Sequence, residues 1–304
     1  MLSTHRLSLL VAFARHGSIA AAAEALGYTP SAVSQQLVRL EQEAGVGLLD
    51  RSARSAELTD AGRLLAEHAQ LILAAAEDAE AALAAQAGVI SGEVRVAALP
   101  SAALAFAPLL VRQLRRHRQL RLVFVEAVGP AGVAAVRERV ADIALVERWA
   151  GAPAADPALF TQHLVHDPLE LAVPRRHWLA NPDAPVDLGE LVDESWIIAP
   201  PGEPSRAGVE RLMAPYGGVP AGAWEFEGQS VILSLVAHGA GIAAVPALTA
   251  RVGTAGVVRR AIPGAPVARE IDAVARTSTL ARPAVAATLA ALRSAAQQLL
   301  LPTP

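Results

Sequence analysis

The chain has 304 residues, 53% of them hydrophobic and 18% charged, and a formal net charge of −3. That length implies two or three domains, with enough apolar residues for sizeable cores and too many for a disordered chain. The lack of cysteine excludes disulfides, thiolate metal sites and thiol redox sensing, and the mild acidity excludes a general attraction to nucleic acid or membranes.

In chain order, the first informative stretch is residues 18–40, SIAAAAEALGYTPSAVSQQLVRL. Ser18 can cap a short alanine-rich helix, which Gly27 and Tyr28 end. Thr29 sits where the next N-cap belongs, with Pro30 at the first helical position, where its missing N–H costs nothing. Val33, Leu37 and Leu40 fall on one face of this second helix, while Ser31, Ser34, Gln35 and Arg39 fall elsewhere. Short polar and cationic side chains suit groove edges and phosphates, so the pattern fits a helix-turn-helix with a recognition helix. Residues 44–62 then hold a Gly-bounded turn and a short extended piece ending at Leu58, a small wing whose tip carries Arg51 and Arg54.

These segments resemble the winged helix-turn-helix of the LysR-type transcriptional regulators. The matching pieces are FARHGS from Phe13 to Ser18, AAEAL from Ala22 to Leu26, SAVSQQ from Ser31 to Gln36 and LTDAG from Leu58 to Gly62. With the resemblance, the candidate DNA contacts are Ser18, Thr29, Pro30, Ser31, Ser34, Gln35, Gln36 and Arg39 of the helices, and Arg51 and Arg54 of the wing. One departure stands out: residues 1–62 hold five arginines against six acids, formally −1. Nonspecific affinity comes mainly from displaced counterions, so it should be weak here, and recognition must be local. All 26 basic residues are arginine, which together with the alanine excess suggests a GC-rich coding sequence.

From Thr59 to about Gln86 the composition predicts one helix of about 40 Å, at roughly 1.5 Å per residue. Leu64, Leu65, His68, Leu71, Ile72, Ala75, Ala79 and Leu83 form an apolar stripe along it, suited to a second helix. A homodimer built on that stripe would read an imperfect palindrome in double-stranded promoter DNA, with half-sites about one turn, ~34 Å, apart or a multiple of it. The resemblance further implies homotetramers, and RNA polymerase is a further candidate partner. Gly88, Ser91 and Gly92 mark a hinge.

Beyond Gly92 strands and helices alternate, as in a parallel α/β sheet. Strands are expected at 93–98, 120–127, 142–146, 164–174, 196–199, 224–227, 242–245 and 270–276, and helices at 101–118, 132–140, 206–216, 231–239 and 283–301. Chain crossings near 162 and 266 would make two lobes. This order, and VAHGAGIAAVP from Val236 to Pro246, are similar to the effector domain of the same family, which has the two-lobed form of periplasmic binding proteins. The expected fold class is thus multi-domain: an all-α winged helix-turn-helix N-terminal domain (1–58), a long linker helix (59–90) and a two-lobed α/β effector-binding domain of periplasmic-binding-protein type (91–304). Lobe I would comprise 91–162 and 266–304, and lobe II 163–265.

Ligands of such sheets bind at strand C-terminal ends, beside helix N-termini. That points to Pro100, Ser101 and Ala102 on the first lobe, and to Pro200, Pro201, Gly202, Gln229, Ser230 and Pro246 on the second. Ser101 starts a helix directly after a strand, as ligand-holding hydroxyls of the family do; an ordinary N-cap is the alternative. Glu147, Arg148 and Trp149 also follow a strand end, where they would line the cleft, but the preferred reading is a solvated loop. The effector would be a modest, partly apolar small molecule.

Other signals carry less. GAGIAA at 239–244 leads into a strand rather than following one, so it is no dinucleotide fingerprint. His163 and His166, three apart in a strand, should point to opposite faces and make poor joint ligands. The basic run 115–118 suits a solvated helix end. No cofactor and no metal are expected, and no signal peptide or membrane-spanning run is visible, which predicts a cytoplasmic location. The reading is a LysR-type DNA-binding regulator, not an enzyme, modulated by a small molecule. An effector-insensitive regulator is its variant. The rival from another class is an α/β enzyme or solute-binding protein with an incidental helical domain.

Overall fold

The computed structural model describes residues 2–50, 56–86, 90–149, 151, 156–219, 223–250, 255–264 and 267–300. Two compact units divide the chain, Met1–Ala87 and Gly88–Pro304.

The first unit opens with α1 (Thr4–His16), α2 (Ile19–Leu26) and α3 (Pro30–Ala44). Both expected caps form: Ser18 Oγ accepts from Ala21 N at 3.2 Å and Thr29 Oγ1 from Ala32 N at 3.3 Å. Gly27 ends α2 at φ 70, a left-handed conformation glycine adopts without steric cost. Strands β1 (Leu49–Asp50) and β2 (Glu57–Leu58) pair antiparallel as the wing base, and α4 (Asp60–Gln86) follows. Arg51 and Arg54 lie outside the described residues. Val33, Leu37 and Leu40 of α3 join Leu7, Leu10 and Phe13 of α1 in one core, which Ala66 and Ala69 of α4 complete.

The wing is seated from two sides. Glu41 Oε1 accepts from the backbone N–H groups of Leu48 and Leu49 at 2.9 and 3.0 Å. Thr59 donates its hydroxyl to Gly47 O at 2.8 Å and accepts from Gly62 N at 3.0 Å. Helix α4 approaches so closely that a Cβ on Gly62 would lie 2.1 Å from Leu48 O. Gly62→Ala should therefore lower the stability of this unit by about 1–3 kcal/mol, measured by urea unfolding followed by circular dichroism. An unchanged midpoint would show that the wing base can yield.

Farther along α4, Leu64, Leu71, Ile72 and Leu83 remain exposed. Ala66 and Ala69 are covered, and Leu65 is half-buried against the same core.

The second unit runs β3 (Ser91–Ala98), α5 (Pro100–Leu114), β4 (Gln119–Glu126), α6 (Pro130–Arg137), β5 (Ile143–Arg148) and the long β6 (Leu159–Pro174). There follow β7 (Ile197–Ile198), α7 (Pro204–Met213), β8 (Trp224–Glu225), α8 (Gln229–Ala237), β9 (Ala243–Pro246), α9 (Ala247–Ala250), β10 (Val257–Ala261), β11 (Ala268–Arg276) and α10 (Pro283–Leu300). One sheet has the order β10-β6-β11-β5-β3-β4, with β9 also on β6, and β7 and β8 pair separately. Strands β3, β4 and β5 are parallel, and β11 is antiparallel to both β5 and β6.

Strand β6 serves two cores. Leu164 and Val165 pack with Val96, Phe106, Ile143 and Ile271 in the first lobe. Leu169, Leu171 and Val173 pack with Trp196, Val209 and Leu212 in the second. The strand starts five residues before the expected 164, and β10 was not expected at all. In β10, Arg259 pairs with Glu170, and Arg260 donates to the carbonyls of Leu179, Asn181, Pro182 and Ala184. Its two arginines hide the strand pattern because they hydrogen-bond sideways.

The expectation that His163 and His166 point to opposite faces fails. Along β6 the register passes from Val165 opposite Ile271 to His163 opposite Asp272, so Leu164 is an extra residue. Such a bulge cancels the usual alternation of faces. His163 and His166 consequently both meet Glu270, at 3.5 and 2.8 Å.

Candidate DNA-binding surface and effector cleft

On α3, Ser31, Gln35 and Arg39 recur every fourth residue and are exposed, with Ser34 half-buried beside them. The opposite face carries the buried Val33, Leu37 and Leu40. Arg39 makes no ion pair among the described residues. Pro30 is exposed at the helix start, and the Thr29 hydroxyl, already capping, lies 3.2 Å from Ser31 Oγ. Ser18 is spent on capping α2 and is half-buried. Gln36 is turned differently: its Oε1 accepts from Arg6 Nη1 at 3.3 Å. Arg6 also donates from Nε to Glu43 Oε2 at 3.1 Å and binds its other oxygen through Nη2. That guanidinium holds the Glu43 carboxyl below its ordinary range. The acids of α3 are therefore engaged, Glu41 by the wing backbone and Glu43 by Arg6.

In the second unit, Ser101 occupies the first turn of α5, and its side chain is buried. Its Oγ accepts from Arg269 Nη2 at 2.8 Å. The same guanidinium donates from Nε to Asp167 at 2.8 Å and from Nη1 to Glu147 at 2.9 Å. Asp167 accepts a further bond from Leu248 N at 2.8 Å, and Glu147 one from Trp149 Nε1 at 3.1 Å. One cation and two carboxylates thus share a dry site, with side chains 3%, 1% and 7% exposed. Burial pushes the Asp167 carboxyl up despite Arg269.

Glu147 and Arg148 are consequently not a solvated loop: β5 runs through both, and Arg148 pairs with Asp272 at 3.2 Å. Ala102 faces the first core and is fully buried, so its side chain offers nothing to a cleft. Pro100 and Pro201 are exposed, and Pro246 is buried at the end of β9, opposite Leu169. Gln229 and Ser230 start α8, with Gln229 Oε1 buried and lacking a partner. Thr249 Oγ1 is buried and unpartnered as well. Arg269 and Asp167 escaped the sequence reading, because they meet Ser101 and Leu248 only through the fold. Among the described residues no group of three or more acidic or histidine side chains could hold a metal ion. None of their helices is long and apolar enough to cross a membrane.

A capped helix pair with a polar outer row and a wing, followed by a two-lobed α/β domain, defines a DNA-binding regulator with a sensing module. The family model described as "Bacterial regulatory helix-turn-helix protein, lysR family" matches residues 4–63, and that of the LysR substrate binding domain matches residues 87–297. The chain belongs to the LysR family of transcriptional regulators. It is 35% identical over 228 residues to the HTH-type transcriptional regulator ShiR of Corynebacterium glutamicum (strain R), covering 73% of this chain and 75% of that one. It is 28% identical over 295 residues to CbbR of Rhodospirillum rubrum, covering 96% of each. Among solved structures, full-length CbnR complexed with its target DNA is similar, with a TM-score of 0.65 and 25% identity over 97% of this chain and 100% of that one.

Proposed function

We propose that this LysR-type regulator reads an imperfect palindrome in promoter DNA through Ser31, Ser34, Gln35 and Arg39 of α3, flanked by Pro30 and the wing arginines Arg51 and Arg54. The observation that carries the reading is the exposed row of Ser31, Gln35 and Arg39 above a buried face, beside acids that are already engaged. Ser18 and Thr29 contribute as caps that aim the two helices, and Gln36 contributes by fixing Arg6. The exposed stripe of α4 supports a homodimer, or a homotetramer of two such dimers, that presents two copies of α3 to one duplex. The working division is 1–58 for DNA, 59–90 for assembly and 91–304 for sensing, in the cytoplasm, with RNA polymerase as the downstream partner.

A gel shift on the chain's own upstream region tests this. Gln35→Ala should weaken the specific complex by about 1–3 kcal/mol, roughly five- to 150-fold. Arg39→Ala should instead weaken all sequences and reduce the salt slope by about one. If Gln35→Ala binds the specific site as tightly as the parent, α3 does not read bases there.

The sensing module would hold a small, partly apolar effector between the lobes, near Ser101, Pro201, Gln229, Ser230 and Pro246. The unpartnered Gln229 Oε1 favours a ligand with a hydrogen-bond donor. A regulator that answers to no small molecule is favoured by one observation, that Arg269 already occupies the acceptor side of Ser101. A metabolite-induced rise in melting temperature that Gln229→Ala abolishes would decide for the effector.

A further inference from the structure

We propose that the second unit carries a second small-molecule site, distinct from the cleft near Ser101, that takes a monocarboxylic acid bearing one ring. A pocket of about 420 Å³ opens between the end of β5, β6, α7 and the start of β11. That volume falls within the roughly 300–1,000 Å³ of ordinary small-ligand sites. None of Ser101, Gln229, Ser230 or Pro246 lines it.

Its walls suit a flat apolar body. Trp149, Leu188, Leu212 and Tyr216 line it. The Trp149 ring lies so close to α7 that a Cβ on Gly208 would come within 2.2 Å of its Cζ3. Tyr216 lies against the turn that carries Leu188, its ring carbons 3.6 Å from where a Cβ on Gly189 would stand. The Trp149 ring is thereby set in place before any ligand arrives, which lowers the ordering cost of binding.

The polar groups select the charge. Glu270 lines the pocket but is already engaged by His166 Nδ1 at 2.8 Å and His163 Nε2 at 3.5 Å. Arg211 also lines it, is exposed, and makes no ion pair or hydrogen bond among the described residues. A cation with open donors beside a satisfied carboxylate favours an anion, and a planar guanidinium matches a carboxylate in two bonds. The site has a physical link to the interior, because Trp149 donates its indole N–H to Glu147, the partner of Arg269.

The test titrates the full chain with phenylacetate and with uncharged 2-phenylacetamide, reading tryptophan fluorescence and calorimetric heat. Phenylacetate should saturate, and the amide should bind about tenfold more weakly. Arg211→Ala should lower phenylacetate affinity about tenfold and leave the amide unchanged, while Arg211→Lys recovers part of the loss. Trp149→Phe should remove most of the fluorescence change but not the heat. The proposal is overturned if neither probe saturates, if acid and amide bind alike, or if Arg211→Ala is without effect. It is equally overturned if Ser230→Trp, which obstructs the proposed cleft, abolishes binding that Arg211→Ala spares, since the probe then sits near Ser101. That last outcome would leave the effector reading intact.

Discussion

Replacing Arg269 with methionine should destabilise the second unit by about 3–5 kcal/mol, the largest loss expected from any single substitution considered for that unit. Among the described residues the guanidinium is the only cation paired with the buried Asp167 and Glu147, and it also satisfies Ser101. Without it two carboxylates stay in a dry site with one backbone N–H and one indole N–H between them. The readout is clean because all four tryptophans, at 149, 178, 196 and 224, lie in this unit, so fluorescence during urea unfolding reports it alone. The deficit should also depend on pH with a definite sign. Burial already pushes the Asp167 carboxyl up, so the folded state holds its proton more tightly than the unfolded chain does. Stability from that proton is present at low pH and is lost as pH rises through the raised value. The Arg269→Met deficit should therefore shrink on acidification. A loss below about 1 kcal/mol, the scale of a surface pair, would mean that the cluster is wet.

Leu37→Ala should cost the first unit about 2–5 kcal/mol and abolish specific DNA binding without touching a DNA-facing side chain. Leu37 is 1% exposed on the inner face of α3, within the core it shares with Leu10, Phe13 and Leu48. Its loss leaves a cavity under the helix that carries Ser31 and Gln35, and a small unit has little other core to draw on. Circular dichroism should show a helical fraction melting early, while the tryptophan transition stays where it was. A coincident shift of both transitions would refute the independence of the two units.

The helix-turn-helix was legible because each of its signals is local. Ser18, Gly27, Thr29 and Pro30 act within four residues of themselves, and Val33, Leu37 and Leu40 declare their face by spacing alone. The order of strands and helices in the second unit was legible for the same reason. What escaped depends on distant partners. Ser101 was singled out by its position after a strand, yet its bond to Arg269 spans 168 residues and leaves no local trace. The shared face of His163 and His166 follows from one inserted residue, Leu164, which a strict two-residue period cannot anticipate. Glu147 looked like a loop residue because its tryptophan and arginine neighbours do not alternate, although its side chain is nearly dry.

The first lobe draws β3, α5, β4, α6 and β5 from one end of the sensing module and β11 and α10 from the other, with the second lobe's chain between them. Strand β11 lies between β5 and β6, so the edge of β5 stays unpaired until the ribosome has released residue 276. The helices that address DNA, by contrast, are complete once the first unit has emerged. A nascent chain therefore acquires its reading head early and its sensor last, and the apolar faces of β3 and α5 must be shielded in the interval.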